Sequence, residues 1–310
     1  MIRGLFFLLL FLASFPLAAA EFTNGQLRLV LHERTGRFSL YTYDRRSLFD
    51  NGDPRTSFLS VLANGRYYRM GNSSAFRTRL VRDPHSPAII YESSFLIVTK
   101  EFLFLQNGLR VMITLENKTE RPITAGARFL LDTFLSEKNA NPSFTTDRRT
   151  ITSEALLTNA DSDSFWTDAN NDISLFGSID IGSPTGPDSI HFANWKRLND
   201  ARWSVPFQPR RNFNLLPFSI RDTAVCYYFD PRPLPPGEQR TFWFSLYTQI
   251  PLPQETQPFV SAATGFCEQD LAAIRELINQ IDRHIASGGA ADEEIASLEN
   301  KLQQIRARHQ

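Results

Sequence analysis

Cysteine is almost missing from this chain, which has two, Cys226 and Cys267. A structural zinc site takes about four ligands, and no Cys-x-x-Cys pair or histidine-rich cluster supplies the rest, so no metal site is expected. A disulfide between the two stays open, because Cys226 falls in an apolar strand pattern and Cys267 opens a helical one. Charge of one sign is missing too, with Lys and Arg at 33 and Asp and Glu at 33. Without a basic field, neither nucleic acid nor an anionic membrane is an expected partner. Past the N-terminus no apolar run approaches the ~20 residues that a spanning helix needs. Gly-rich phosphate loops and a Gly-x-Ser-x-Gly elbow are absent, which removes nucleotide binding and serine-hydrolase chemistry from the first rank. No cofactor is expected.

The N-terminus carries one charge, Arg3, then the apolar run Leu5 to Leu12 and the small residues Ala18-Ala19-Ala20. This is the pattern of a secretory signal peptide over residues 1–20, with a mature chain starting near Glu21 and a periplasmic or secreted location. From there to residue 250 the signals are short alternating strands. Leu27, Leu29 and Leu31 alternate with polar partners, and Thr35-Gly36, Asn51-Gly52 and Asn64-Gly65 supply turns. Phe102 and Phe104 alternate toward Asn107-Gly108, read as a two-residue type I′ hairpin turn. Arg110 to Glu116 forms the returning strand, and a third strand, Thr124 to Leu131, ends at Asp132. Phenylalanine is abundant at 26 residues, which suits the wide surfaces of packed sheets.

The order of elements, with a central strand ending in ARFLLDTFLSEKN and a last strand in PPGEQRTFWFSLYT after a Pro-Gly turn, resembles the galactose-mutarotase-like β-supersandwich of exported bacterial proteins. The resemblance covers most of residues 21–250. It implies a mainly β fold, an antiparallel supersandwich, with a carbohydrate-sized groove on one concave face. Sugar mutarotases of that fold use a histidine and a glutamate as acid and base. Of the histidines here, only His191 falls in the loop-rich region, and the histidine-rich signature of those enzymes is absent. The expectation is therefore a non-catalytic exported protein acting in protein–protein interaction or envelope assembly. The alternative is a carbohydrate-binding or carbohydrate-processing protein.

Residues 144–213 are rich in Asn, Asp, Ser and Pro and read as long loops. Trp166, Trp195 and Trp203 lie there with Asp188, His191, Asn194 and Arg202, a set able to stack on a sugar face and bond its hydroxyls. The competing reading makes the indoles core plugs beneath the loops. Asp161, Asp163, Asp168 and Asp172 loosely follow calcium-loop spacing, but the central Gly and terminal Glu are missing, so a solvated Asx-rich turn is expected. Asp132 and Glu137 could form an acid pair if the loop brings them together. The expectation for Asp132 is structural, its carboxylate bonding amides between Thr133 and Asn139, or an arginine such as Arg128 on the same strand face.

Residues 251–266 read as a Pro-rich linker. Beyond it, over residues 267–310, Leu271, Ile274, Ile278, Ile281 and Ile285, then Ile295, Leu298, Leu302 and Ile305, follow heptad spacing on either side of Ser287-Gly288-Gly289, predicting a helical hairpin. Its stripes bury each other or cover the β domain; the functional alternative is docking to another envelope protein or to a second copy. A chain ending near Gln257 is expected to lose such associations in crosslinking. Unchanged partners and oligomeric state in that truncation remove the docking role.

Overall fold

The structure, a computed structural model, describes residues 19–250. Most of the segment 1–20 read as a signal peptide, the stretch read as a linker and the heptad-patterned segment with its apolar residues lie outside the described residues.

Alternating side chains become alternating burial, as a two-residue strand period requires. The first strands are β1 (Ala19–Thr23), β2 (Leu27–His32), β3 (Arg37–Thr42), β4 (Phe58–Ala63) and β5 (Arg66–Arg69). A meander follows: β6 (Arg77–Val81), β7 (Ala88–Glu92), β8 (Leu96–Leu105), β9 (Gly108–Asn117) and β10 (Ile123–Thr133). The loop-rich region still holds β11 (Phe144–Thr146), β12 (Thr150–Ile151), β13 (Ala155–Leu157), β14 (Phe165–Ala169), β15 (Ser174–Ser178) and β16 (Ser189–Asn194). The helix α1 (Trp195–Asp200) precedes the last strands, β17 (Thr223–Leu234) and β18 (Gln239–Tyr247). A nine-stranded sheet runs β12-β11-β14-β15-β18-β9-β8-β7-β6, a six-stranded sheet β13-β16-β17-β10-β4-β5, and a three-stranded sheet β1-β2-β3. Every pairing is antiparallel. The chain is mainly β, as the alternation predicts.

Phenylalanine and tyrosine join the layers. Tyr227 of β17 stacks on Phe244 of β18 at 4.5 Å, and Phe229 on Phe242 at 4.2 Å. Phe129 of β10 meets Phe244 at 4.9 Å. Such pairs add roughly 0.5–1.5 kcal/mol each beyond the area they bury. From the three-stranded sheet, Phe38 reaches both Phe102 (4.8 Å) and Phe129 (5.8 Å), so the small sheet shares the same core. Its β2–β3 turn is tied down at Gly36, whose carbonyl accepts from the Tyr91 hydroxyl (2.6 Å) and from Lys100 Nζ (2.8 Å). Gly36 has φ 62° and lies so close to the Tyr91 ring that no side chain fits. Lys100 is buried among Phe38, Tyr91, Phe102 and Phe129, and burial, with the charge of Arg37 adding, drives its pKa well below 10.5.

Two expectations change. The β8–β9 turn is centred on Gln106 and Asn107, with Leu105 paired to Gly108 inside the strands, and neither turn residue has positive φ. Gly108 is required for a different reason: a Cβ there would lie 2.5 Å from the Leu246 carbonyl of β18. The apolar run Ala224 to Phe229 reads as a strand by itself, but β17 continues to Leu234, still paired to β10 through Arg232 and Pro233 past a bulge in which Asp230 and Pro231 face Gly126.

The far side of the six-stranded sheet has its own small core. Phe58, Leu130, Ala193, Ala224, Cys226 and Tyr228 are covered there by Leu198 of α1 and by Trp195, Trp203 and Val205. Arg128 fastens this cover. It is fully buried on that face, and its guanidinium donates to the carbonyls of Leu198 (2.7 Å), Ala201 (3.0 Å) and Trp203. These carbonyls sit in and just beyond the last turn of α1, where the backbone is short of donors and carries partial negative charge. Arg128→Met is expected to cost about 3 kcal/mol, since it leaves buried carbonyls unpaired. Arg128→Lys should recover only part, because an ammonium cannot fork across separated acceptors. Urea unfolding midpoints check both, and midpoints equal to that of the parent would exclude the fastening role.

Candidate functional site

At one end of the six-stranded sheet the chain brings three carboxyl groups together. Asp132 stands one residue before the end of β10, and Asp222 immediately precedes β17. Because β10 and β17 are antiparallel neighbours, with Thr133 opposite Thr223, the end of one and the start of the other meet. Between them, the short 3-10 turn Leu135–Lys138 folds Glu137 back. The Thr223 amide donates to Glu137 Oε1 at 2.8 Å and holds it there. Asp132, Glu137 and Asp222 thus have oxygens within 4.8 Å of one another, and all three are half-buried.

The turn is fixed from the opposite sheet. Asp168 of β14 is fully buried, and its two oxygens accept the amides of Leu135 (2.9 Å) and Ser136 (3.0 Å). This is the loop-anchoring role expected of Asp132. Among the described residues the Asp132 carboxylate has no arginine partner; its own amide donates to Ser57 Oγ at 2.9 Å, and Arg128 turns to the carbonyls of the cover. Asp222 is set by a relay, in which Asn194 Nδ2 donates to Ser219 Oγ (2.7 Å) and that hydroxyl donates to Asp222 Oδ2 (2.5 Å). Asn194 also caps α1, accepting the Arg197 amide at 3.2 Å. Trp195 borders the site: its amide donates to the Asp222 carbonyl (3.0 Å) and its indole to the Thr56 carbonyl (2.9 Å).

Burial with few compensating cations dictates the electrostatics. It pushes Asp132 up to about 7, with the like charges of Asp222, Asp50 and Asp53 adding. It pushes Glu137 up to about 8, against the hydrogen bond from the Thr223 amide, and raises Asp222 as well. Asp132 and Glu137 hold protons near neutrality beside the raised Asp222, so the set donates and accepts hydrogen bonds at once and titrates as one coupled unit. Once ionised, the same oxygens suit a hard divalent cation.

The other residues singled out in the sequence do not meet in one groove. Trp166 lies in the main core, its indole donating to the Tyr227 hydroxyl at 2.7 Å. Trp195 and Trp203 pack on the far side of the six-stranded sheet, Trp203 edge-on to Tyr228 at 6.0 Å. Indole area is too large to leave wet when a sheet face is available, and this separates them. His191 is buried, with Nε2 3.0 Å from Glu154 Oε1, and burial lowers its pKa. Glu154 is in turn engaged by Arg197 and by the Gln208 amide. Asp188 lies at the other end of β16 from Asn194, accepting the Asp230 amide (2.6 Å) and pairing with Arg232. Arg202 is exposed. Asp161 and Asp163 share Arg149, Asp168 serves the turn and Asp172 is exposed, so the four aspartates do not converge as a calcium loop. Cys226 is a buried free thiol, and Cys267 lies outside the described residues. Sequence reading missed Asp222 and Glu154; only a correct pairing of β10 with β17 would have placed Asp222 beside Asp132.

The folded pKa of Asp132 and of Glu137 lies above the unfolded value near 4, so the folded state holds protons that the unfolded chain gives up. Their contribution is complete below about pH 4 and is lost as pH rises through 7 and 8. The double variant Asp132→Asn, Glu137→Gln should therefore gain melting temperature over the parent from pH 5 to pH 9. A difference between the two that does not change with pH contradicts the shifted acids. Asp168→Ala should cost about 3 kcal/mol and loosen the turn, measured by chemical unfolding and by amide exchange at Leu135 and Ser136.

No protein-family model matches the chain, and no curated protein matches it. Solved structures similar to it include galactose mutarotase-like proteins, the kind that the sequence resemblance names, and a putative aldose 1-epimerase. A galactose mutarotase-like protein from Lactobacillus casei is 11% identical over 75% of this chain and 100% of its own, with a TM-score of 0.48. A galactose mutarotase related enzyme from Lactobacillus acidophilus is 8% identical over 78% of this chain and 100% of its own, at 0.49. A putative aldose 1-epimerase from Escherichia coli is 13% identical over 75% and 99%, at 0.40. Likeness at this level carries no argument about chemistry.

Proposed function

We propose that this chain is a carbohydrate-binding or carbohydrate-processing protein whose ligand meets the carboxyl cluster of Asp132, Glu137 and Asp222. The observation that carries this reading is the convergence of three half-buried carboxyls within 4.8 Å at the strand ends. Adjacent hydroxyls on a sugar ring each donate and accept, and a partly protonated carboxyl set matches them as a fully ionised one does not. Two acids poised near neutrality are also what proton transfer to and from a ring oxygen or an anomeric hydroxyl requires. Trp195, bonded to both sides of the site, offers a nearby indole. This placement replaces the Trp166-to-Trp203 groove, which the fold does not assemble.

A second reading, an exported non-catalytic protein acting in protein–protein interaction or envelope assembly, is supported by a different feature. Near the cluster the loop ahead of β17 exposes Leu216 (71%), Phe218 (74%) and Ile220 (60%), an apolar tip of the kind that marks contact surfaces. Either reading fits a periplasmic or secreted location.

Titration of neutral mono- and oligosaccharides, followed by tryptophan fluorescence and calorimetry, separates the two. Asp132→Asn and Glu137→Gln should each weaken binding about tenfold or more, about 1.4 kcal/mol, and any turnover should be confined to the window near pH 7 to 8 that the coupled acids set. Failure of every neutral saccharide to bind the parent, or equal binding by the variants, defeats the carbohydrate reading. Leu216→Ser with Phe218→Ser should abolish self-association or partner capture under the second reading, and leave saccharide titrations unchanged under the first.

A further inference from the structure

The register of β4 against β10, Phe58 opposite Leu130 and Ala63 opposite Ala125, puts the β4–β5 turn at the end of the sheet remote from the acid cluster. A cleft of about 730 Å³ opens there, between that turn, the residues leading into β8 and the β9–β10 loop. Pockets that enclose small ligands fall in the range of roughly 300–1,000 Å³.

Its lining combines three features. Tyr68 and Phe95 face the space with ring centres 5.5 Å apart, and both are wedged by Phe76 at 5.4 and 5.6 Å, so their orientation is fixed before any ligand arrives. The rim is fixed as well: Asn64 and Gly65 have φ 47° and 74°, the pattern of a tight two-residue hairpin turn. Asn64 exchanges two bonds with Thr124, its amide donating at 2.8 Å and its side-chain oxygen accepting at 2.9 Å. The third feature is charge. Arg66 and Arg121 are exposed on this rim, and neither has an acid partner among the described residues. Exposed arginines such as Arg34, Arg202 and Arg210 also lack an acid partner among the described residues, so what distinguishes Arg66 and Arg121 is their place on one rim beside the aromatic pair. Glu120 is the one acid lining the cleft.

We propose that this cleft binds a carboxylated saccharide, a uronic-acid-containing glycan, with a sugar ring against Tyr68 and Phe95 and its carboxylate held by Arg66 and Arg121. A guanidinium presents a planar pair of donors that matches a carboxylate, and an aromatic wall takes the apolar face of a pyranose. The proposal deepens the carbohydrate reading and rests on it for the ligand class, but it uses none of the acid-cluster residues.

Calorimetry of the full chain with oligogalacturonate, a neutral galacto-oligosaccharide and oligoglutamate tests it. The variants are Arg66→Gln with Arg121→Gln, and separately Asp132→Asn with Glu137→Gln. Oligogalacturonate should bind the parent, weaken about tenfold or more in the arginine variant, and bind the acid-cluster variant unchanged. No binding of oligogalacturonate, equal affinity in the arginine variant, or equal binding of oligoglutamate overturns the proposal. If oligogalacturonate binds through the arginines while the neutral saccharide binds nowhere, the cleft stands and the acid-cluster reading falls. Neutral binding that depends on Asp132, with no response to oligogalacturonate, removes the cleft alone.

Discussion

A single buried carboxylate links the two large layers at the place where the chemistry gathers. Asp168 belongs to the nine-stranded sheet, yet both its oxygens are spent on amides of the chain leaving the six-stranded one. Without it, the short turn after β10 would lose its hydrogen bonds to the opposite sheet, leaving the buried Leu135 side chain and the Thr223 amide to hold it and Glu137. A charged acceptor with two amide donors tolerates full burial because its lone pairs are answered by aligned dipoles. The same burial that makes Asp168 expensive makes it directional. It fixes one geometry of the turn, and that geometry is what sets Glu137 against Asp132 and Asp222.

Order on the other side of the six-stranded sheet comes from a cation. Arg128 has no acid opposite it; the carbonyls around the end of α1 receive its charge. The two arrangements are complementary in sign, an anion answered by amides within the core and a cation answered by carbonyls beneath the cover. Both spend backbone groups of irregular segments that the sheet hydrogen bonds cannot reach. Long polar loops are thereby bound to a rigid β frame at defined points.

The mainly β class was legible because alternation such as Leu27-Leu29-Leu31 or Phe102-Phe104 admits little else. Positions depending on close approach were not. Asn107-Gly108 looks like a turn, but Gly108 is small because β18 passes against it, and that fact is held in Leu246 and Tyr247, far along the chain. The indoles misled for a related reason: sequence shows that Trp166, Trp195 and Trp203 are neighbours in the chain, whereas the six-stranded sheet separates Trp166 from the other two. Asp132 and Glu137 were recognisable as an acid pair in waiting. Their third partner was hidden until β17 was aligned with β10, and the anchoring role assigned to Asp132 went to Asp168, which the sequence had suggested only as one of four calcium-loop candidates.

The amine of Lys100 has a consequence for how this protein exchanges protons with its solvent. Enclosed by four aromatic rings, with burial driving its pKa well below 10.5, it gives up on folding a proton that the unfolded chain still holds below about pH 10.5. Asp50, pushed up to about 7 by burial, does the reverse and takes one up between about pH 4 and 7. The two buried groups therefore tilt the stability curve in opposite senses, acid favouring the fold at Asp50 and base favouring it at Lys100. The pH dependence of unfolding therefore sums the protons held by Asp50, Asp132 and Glu137 against the one released at Lys100, so its slope measures the balance among these buried groups and not any one of them.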